Sequence, residues 1–297
     1  MDKKTVAILA PTGMLGSMVY NEFKDRYKLV LVYRGEEKLK ILNEVYGGVN
    51  KHELVQADFA DIYLDYQNGF SKDSISPKVK ELFETIGNVD TVINCAGMIK
   101  QKVIKDPGLM LFVNGAVPNI LSSYYGEKLI QITTDCAYSG IVGFPYDENS
   151  PKDPNDLYGL SKSIGEPSLK SLVLRTSIVG PELAEGVSLL GWFLKQEGQT
   201  VKGFSTHLWN GITTKEFARV CGKIIDSRSE FPKNGLYHIF SNDVTKLEML
   251  KVFQKKYGTN VKIEEMAPPT VDRRLRTVYD LCKKLEVPSF EQMINQL

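Results

Sequence analysis

The stretch "DLYGLSKSIGE", residues 156–166, sets Tyr158 and Lys162 four positions apart. At helical spacing the two side chains share one face and can be aimed at one ligand. A phenol ionises near pH 10, and a neighbouring ammonium that stabilises its phenolate turns it into a usable proton donor at lower pH. Taken alone, the spacing favours two surface residues of an ordinary amphipathic helix. Its neighbours change the balance. Upstream, "LIQITTDCAYSG" reads as an apolar strand ending in Thr133, Thr134 and Asp135, so hydroxyls emerge at a strand's carboxyl end, where open α/β sheets bind ligands. Alternation along the strand turns one of the two threonines to the core and leaves Thr133 as the plainer alternative to Thr134.

The elements that must position these groups alternate along the first half of the chain. Short runs such as "TVAIL", "KLVLVY", "ELVQA", "DTVINC", "KLIQIT" and "SLVLRT" are nearly continuous in Val, Ile and Leu, as strands covered on both faces are, and helical segments lie between them. The pattern predicts an α/β fold with a doubly wound parallel sheet over residues 1–176. Beyond Thr176 it loosens into a smaller mixed α/β region, 177–297, with a segment near 205–240, including the strand-like "GLYHIF", returning to the sheet.

Between the first strand and first helix, "LAPTGMLGSMV" carries Thr12, Gly13, Met14, Leu15 and Gly16, with the two glycines spaced as the last pair of a GxxGxxG turn and Ala10 in the first position. Glycines here let backbone approach a pyrophosphate held at the helix N-terminus. The second strand ends at Arg34, where NAD-preferring folds place an acid; a guanidinium suits a 2′-phosphate, so NADPH is expected, with NADH the alternative. Glu36 and Glu37 nearby also suit a solvated arginine at a strand end. Asp58 in "VQADFAD" could accept from an adenine amino group or cap a turn. Asn94, Ala96 and Gly97 in "VINCAG" offer little bulk where a dinucleotide would pass.

The rest of the composition excludes other classes. With 37 Lys and Arg against 36 Asp and Glu, the chain lacks the electrostatic footprint of a nucleic-acid or membrane-surface binder. The apolar run near the N-terminus is too short for a signal peptide or a span, so the cytoplasm is expected. Cys95, Cys136, Cys221 and Cys282 are scattered among three histidines without ligand spacing, which predicts reduced thiols and no metal.

In order, "PTGMLG", "VINCAG", "TTDCAYSG", "DLYGLSK" with "GE", and "LVLRTSIVG" resemble the extended short-chain dehydrogenase/reductase family. The C-terminal "GWFLKQEG", "WNGITTKEFARV", "GLYHIFS" and "MINQL" are similar to its dTDP-4-dehydrorhamnose reductase-like branch, the reductases of nucleotide-linked 4-keto-6-deoxy sugars. The resemblance implies a Rossmann-type fold, a nucleotide-sugar substrate and a place in deoxysugar and surface-polysaccharide biosynthesis; a homodimer is one assembly open to it, and the sequence does not read out oligomer contacts. It gives Thr134 the task of polarising the ketone and Tyr158 that of donating its proton. Lys162 would lower the Tyr158 pKa and hold the nicotinamide ribose, hydride would go to carbon 4 of the sugar, and Asn114 would support the site.

Two departures matter. Cys136 stands where the related GDP-fucose synthases carry an epimerisation acid/base, which leaves a combined 3- or 3,5-epimerase/4-reductase beside the plainer buried cysteine, while Glu182 occupies the place of their partner histidine. A non-catalytic regulatory subunit of the same superfamily is the third reading. For the substrate, "FSTHLWNGITT" offers His207, Trp209 and Asn210, "VDRRLRT" offers Arg273, Arg274 and Arg276 for a diphosphate, and "MIKQK" offers Lys100 and Gln101.

Overall fold

The computed structural model describes residues 3–67, 76–99, 106–167, 170–184 and 186–297; Lys100 and Gln101 lie outside the described residues. The apolar runs form β1 (Thr5–Leu9), β2 (Lys28–Tyr33), β3 (Glu53–Gln56), β4 (Thr91–Asn94), β5 (Leu129–Thr134) and β6 (Leu172–Thr176). Around them lie α1 (Met14–Phe23), α2 (Glu36–Tyr46), α3 (Phe59–Gln67), α4 (Pro77–Ile86), α5 (Pro107–Leu111), α6 (Val117–Tyr125) and α7 (Leu157–Ile164). Beyond Thr176 the strands are β7 (Ile178–Val179), β8 (Thr200–Phe204), β9 (His207–Trp209), β10 (Ile212–Thr213), β11 (Gly235–His238), β12 (Val244–Thr245), β13 (Lys262–Met266) and β14 (Val271–Asp272). The helices there are α8 (Leu189–Leu194), α9 (Thr214–Asp226), α10 (Lys246–Tyr257), α11 (Leu281–Leu285) and α12 (Phe290–Asn295).

Seven strands in the order β11-β6-β5-β4-β1-β2-β3 make one sheet, and every neighbouring pair is parallel. A parallel sheet buried on both faces explains why its strands read as unbroken aliphatic runs. Along β1, Ile8 enters the core on one face and Ala7 and Leu9 enter the core on the other. On the first face Val19, Tyr20 and Phe23 of α1 pack with Phe217, Ile224 and Ile225 of α9; on the second, Val79, Leu82 and Phe83 of α4 pack with Leu121 of α6. Each such side chain fully buried contributes about 1.5–3 kcal/mol, which holds the layers against the sheet.

The strand order reverses between β1 and β4. Open α/β sheets form their binding crevice at such a switch point, beyond the carboxyl ends of the strands. The loops after β1, β4 and β5 therefore open onto one place, and α7 follows the last of them. The segment containing β11 pairs with β6, Gly235 beside Leu172 through His238 beside Arg175. The other late strands form small sheets of their own, β10-β7, β12-β9-β14 and β13-β8.

Candidate active site

The phosphate turn is tight because chain passes over chain. Gly13 donates its backbone N–H to Ala10 O at 3.1 Å, and a Cβ built on Gly16 would stand 2.1 Å from that same oxygen. No larger residue fits at Gly16. α1 then starts with no acid in its first turn, leaving its positive end open to an anion. Thr12, Gly13 and Met14 face outward or are half-buried, whereas the Leu15 side chain is in the core and only its backbone can serve a ligand.

Arg34 and Asp58 stand together at the ends of β2 and β3, with Nε 3.9 Å from Oδ2 and the Arg34 side chain 67% exposed. Asp58 Oδ1 accepts from Ala60 N at 2.9 Å, so this carboxylate caps the start of α3. One oxygen is held by the helix and the other faces the guanidinium.

After β4 the backbone is clamped by Asn114, which sits in a π-helical turn at Phe112–Ala116. Its Oδ1 accepts from Met98 N at 2.9 Å, while Nδ2 donates to Met98 O and to Ser161 Oγ, both at 3.0 Å. The loop beyond β4 is thereby tied to the helix of Tyr158 and Lys162. A Cβ on Gly97 would come within 2.5 Å of Lys162 Nζ, and one on Gly165 within 1.9 Å of the Asn114 backbone oxygen, an approach that only glycine allows at Gly165. Lys162 is 8% exposed and forms no ion pair among the described residues. Burial lowers its amine to about 8, opposed by Cys95, whose own thiol burial pushes up to about 12.

The two threonines separate as strand alternation requires. Thr133 Oγ1 donates to Glu166 Oε1 at 2.9 Å, within a buried network in which Glu166 also meets Arg175 at 2.7 Å and Lys152 at 2.9 Å. Thr134 turns the other way. Its Oγ1 donates to Asp135 Oδ1 at 3.1 Å, accepts from Cys136 N at 3.2 Å and lies close enough to Tyr158 to act on its phenol. Asp156 caps α7 by accepting from Gly159 N at 2.7 Å, and Gly159 seats the helix on the Cys136 carbonyl, 2.1 Å from where its Cβ would be.

Burial raises the Tyr158 pKa most, Cys136, Asp135 and Asp156 raise it further, and the Thr134 hydroxyl lowers it. The Lys162 ammonium is turned toward Gly97 and Cys95, the side from which a ribose would be held.

Several substrate expectations change. Trp209 is 4% exposed and packs edge-on against Phe290 at 5.4 Å, so it is core and not a stacking platform. Asn210 binds Leu275 through both N–H and C=O, which makes it a brace for the 272–276 segment. Arg274 pairs with Asp272 and Asp243, and Arg276 with Asp243. Arg273 alone of the three has no carboxylate partner among the described residues; Nε donates to Tyr138 O at 2.9 Å and Nη2 to Asn155 Oδ1 at 3.4 Å. Glu182 accepts from Ser188 N at 3.0 Å and is held in the loop before α8. His207 is half-buried, its ring 4.7 Å from Phe204, and burial lowers its pKa. None of the four cysteines is in a disulfide. Lys246, which carries no signal in the sequence beyond a charged residue after a helix cap, stands close enough to Asp135, Cys136 and Arg273 to feel their charges. No helix among the described residues is long and apolar enough to cross a membrane.

A family model described as the RmlD substrate binding domain matches residues 12–276. A dTDP-4-dehydrorhamnose reductase of Streptomyces griseus is 32% identical over 92 residues, 30% of each chain. The spore coat polysaccharide biosynthesis protein SpsK of Bacillus subtilis (strain 168) is 26% identical over 168 residues, 52% of this chain and 56% of that one. The chain thus spans less than two thirds of either relative's length. Among solved structures, the dTDP-4-dehydrorhamnose reductase of Bacillus anthracis str. Ames in complex with NADP superposes with a TM-score of 0.69 at 17% identity, covering 99% of this chain and 98% of that one, a likeness of fold. With a match that runs from the phosphate turn to the arginines after β14, this chain belongs to the RmlD substrate binding domain family.

Proposed function

We propose that this chain is an NADPH-dependent reductase of the 4-keto group of a nucleotide-linked 4-keto-6-deoxy sugar, serving deoxysugar and surface-polysaccharide biosynthesis in the cytoplasm. The observation that carries the reading is the closeness of Tyr158 to Thr134 at the carboxyl end of β5, by the switch point, with Lys162 beside Gly97.

The residues present fit a dinucleotide. Gly16 allows the tight turn over Ala10, Gly97 leaves room beside Lys162 Nζ, and the acid-free start of α1 is open to a pyrophosphate. Thr12, Gly13, Met14 and the Leu15 backbone would hold the phosphates, Asp58 and Arg34 the adenosine half, and Ala96, Gly97, Lys162 and the loop that Asn114 clamps the nicotinamide half. Hydride for the carbonyl carbon is what the bound dinucleotide supplies. The protein's part is the proton and the charge. The Thr134 hydroxyl, turning its one proton from Asp135 to the ketone oxygen, polarises it, and Tyr158 Oη gives its proton to the same oxygen as the alkoxide develops. Burial that keeps the phenol protonated suits a donor, and the Thr134 hydroxyl eases its ionisation.

Arg34 supports NADPH over NADH, because its guanidinium is exposed at the end of β2, beside Asp58, and could pair with a 2′-phosphate. Arg34→Ala is expected to reduce the ratio of NADPH to NADH affinity; an unchanged ratio removes the preference. The epimerase/reductase reading retains one observation, the closeness of Cys136 to Tyr158. Its partner position is weak, since Glu182 is engaged by Ser188. Deuterium uptake by the keto sugar in heavy water without cofactor would establish that second activity.

The reductase reading is tested by NADPH oxidation with a 4-keto-6-deoxy nucleotide sugar. Tyr158→Phe should lower kcat by about 10²–10⁴-fold with NADPH affinity intact. Turnover by that variant at the wild-type rate, or its absence in the wild type, sinks the proposal, the latter in favour of a regulatory dinucleotide-binding subunit.

A further inference from the structure

Lys246 opens α10, directly after the capping box formed by Thr245 and Glu248. A lysine there sets a positive charge on the positive end of a helix, an unfavourable placement that solvent would ordinarily soften. Here the side chain is half-buried. Its Nζ lies 5.4 Å from the ring centroid of the buried Trp209 and 3.6 Å from Met249 Sδ, and it forms no ion pair among the described residues. An ammonium held against an indole and a thioether lacks the oxygen acceptors that a buried charge requires.

Strand pairing brings it to the cleft. β12 runs antiparallel to β9 with Thr245 opposite Leu208, and β14 runs parallel to β9 with Asp272 beside the same Leu208. Lys246 and Arg273, each the next residue along, therefore leave one short sheet on either side of β9. Arg273 is fixed by the Tyr138 carbonyl and by Asn155, in the two segments that carry Cys136 and Tyr158. Arg274 and Arg276, by contrast, are already paired with carboxylates.

We propose that Lys246 and Arg273 form an oxyanion-binding pair across the cleft from Thr134 and Tyr158, with Lys246 a specificity-determining residue for the nucleotide sugar. The inference deepens the reductase reading and rests on it for the substrate class alone. Burial lowers the Lys246 amine to about 8, Asp135 and Cys136 pull it back up, and Arg273 pushes it down, as expected of groups lining one space. An incoming oxyanion would supply both cations with charge-assisted hydrogen bonds. Two parts of such a substrate carry that chemistry, its diphosphate and a carboxylate on its sugar.

Isothermal titration of the full chain with dTDP, UDP-glucose and UDP-glucuronate separates the sources, using wild type, Lys246→Met and Lys246→Arg. If the diphosphate is the ligand, Lys246→Met weakens dTDP by about tenfold or more, Lys246→Arg restores most of it, and KM for the keto sugar rises more than kcat falls. If a sugar carboxylate is the ligand, dTDP affinity holds and only the preference for UDP-glucuronate over UDP-glucose is lost. Equal affinities in wild type and a folded Lys246→Met for all three ligands overturn the inference, as does a wild type that binds none of them. A wild type that reduces no keto sugar, but whose dTDP affinity depends on Lys246, sinks the reductase reading and leaves the oxyanion pair standing.

Discussion

On the sheet side of the cleft Glu166 accepts from Thr133, Arg175 and Lys152, Arg175 reaches His238 Nε2 at 2.9 Å, and Asn114 uses both ends of its amide on Met98 and Ser161. On the facing side, built by β9, β12 and β14, Lys246 touches an indole and a sulfur, and Arg273 has a carbonyl and an amide oxygen but no carboxylate among the described residues. The first set is satisfied within the protein. The second has hydrogen-bond donors still free for a ligand. Chemistry that depends on sub-ångström placement belongs on the satisfied side, where no reorganisation is needed when substrate arrives. Recognition of a variable substrate suits the other side, whose cations gain their partners on binding.

The strongest way to break this contrast is to remove one cation from each side. Arg175→Met leaves the Glu166 carboxylate, 2% exposed, without its main partner and should cost about 3–5 kcal/mol in urea unfolding. Lys246→Met removes a half-buried charge that has no ion partner among the described residues, so its stability should stay within about 1 kcal/mol of wild type or rise. Comparable losses in the two variants would make the facing side structural and erase the distinction.

A second measurement uses pH. His238 is fully buried, and its Nδ1 must donate to Arg276 O, 2.7 Å away, which leaves Nε2 to accept from Arg175. Burial first, and the Arg175 charge next, lower its pKa from 6.5 to about 4, with Glu148 and Glu166 opposing. Below pH 6.5 the unfolded chain binds a proton that the folded chain refuses. Stability is thus fully present above pH 6.5 and is lost as pH falls toward 4, by about 2–3 kcal/mol for this group. Urea midpoints at pH 7.5 and 4.5 should differ more in wild type than in His238→Gln; an equal difference would mean that the network does not hold His238 neutral.

What the sequence disclosed and what it hid follow the same division. The sheet, the turn at Gly13 and Gly16, and the pairing of Tyr158 with a threonine of β5 are written in local patterns, because a buried parallel strand, a phosphate turn and a helix face each impose a short period on the chain. Alternation even predicted that Thr133 and Thr134 would part, though not which would face the site. The facing side depends on pairings between distant segments. Nothing near Trp209 announces that Phe290 will bury it, and nothing near Arg274 or Arg276 announces that Asp243 will neutralise them. Lys246 reads as a solvated residue after a cap until β12 pairs with β9 and lays it against Trp209. Glu166, legible only as part of "GE", proves to be the carboxylate on which Thr133 and Arg175 converge.

The smallest expected effect tests whether the satisfied side is also unstrained. Ala10 has φ of +57°, in the left-handed region where a Cβ crowds its own backbone, and it stands in the position where the glycine pattern begins. Its N–H donates to Val32 O at 2.9 Å and its carbonyl accepts from Gly13, so the conformation is held from both sides. The left-handed conformation costs an alanine about 1–2 kcal/mol, and a glycine would remove that cost while adding about 0.4–1 kcal/mol of unfolded-chain entropy. Ala10→Gly should therefore stabilise the fold by up to about 1 kcal/mol, and Ala10→Val, with a branched Cβ at the same φ, should destabilise it. Urea unfolding of the two variants gives opposite signs if the turn stores strain. A loss of stability in Ala10→Gly would show that the methyl group packs usefully and that the phosphate turn is as relaxed as the network around Glu166.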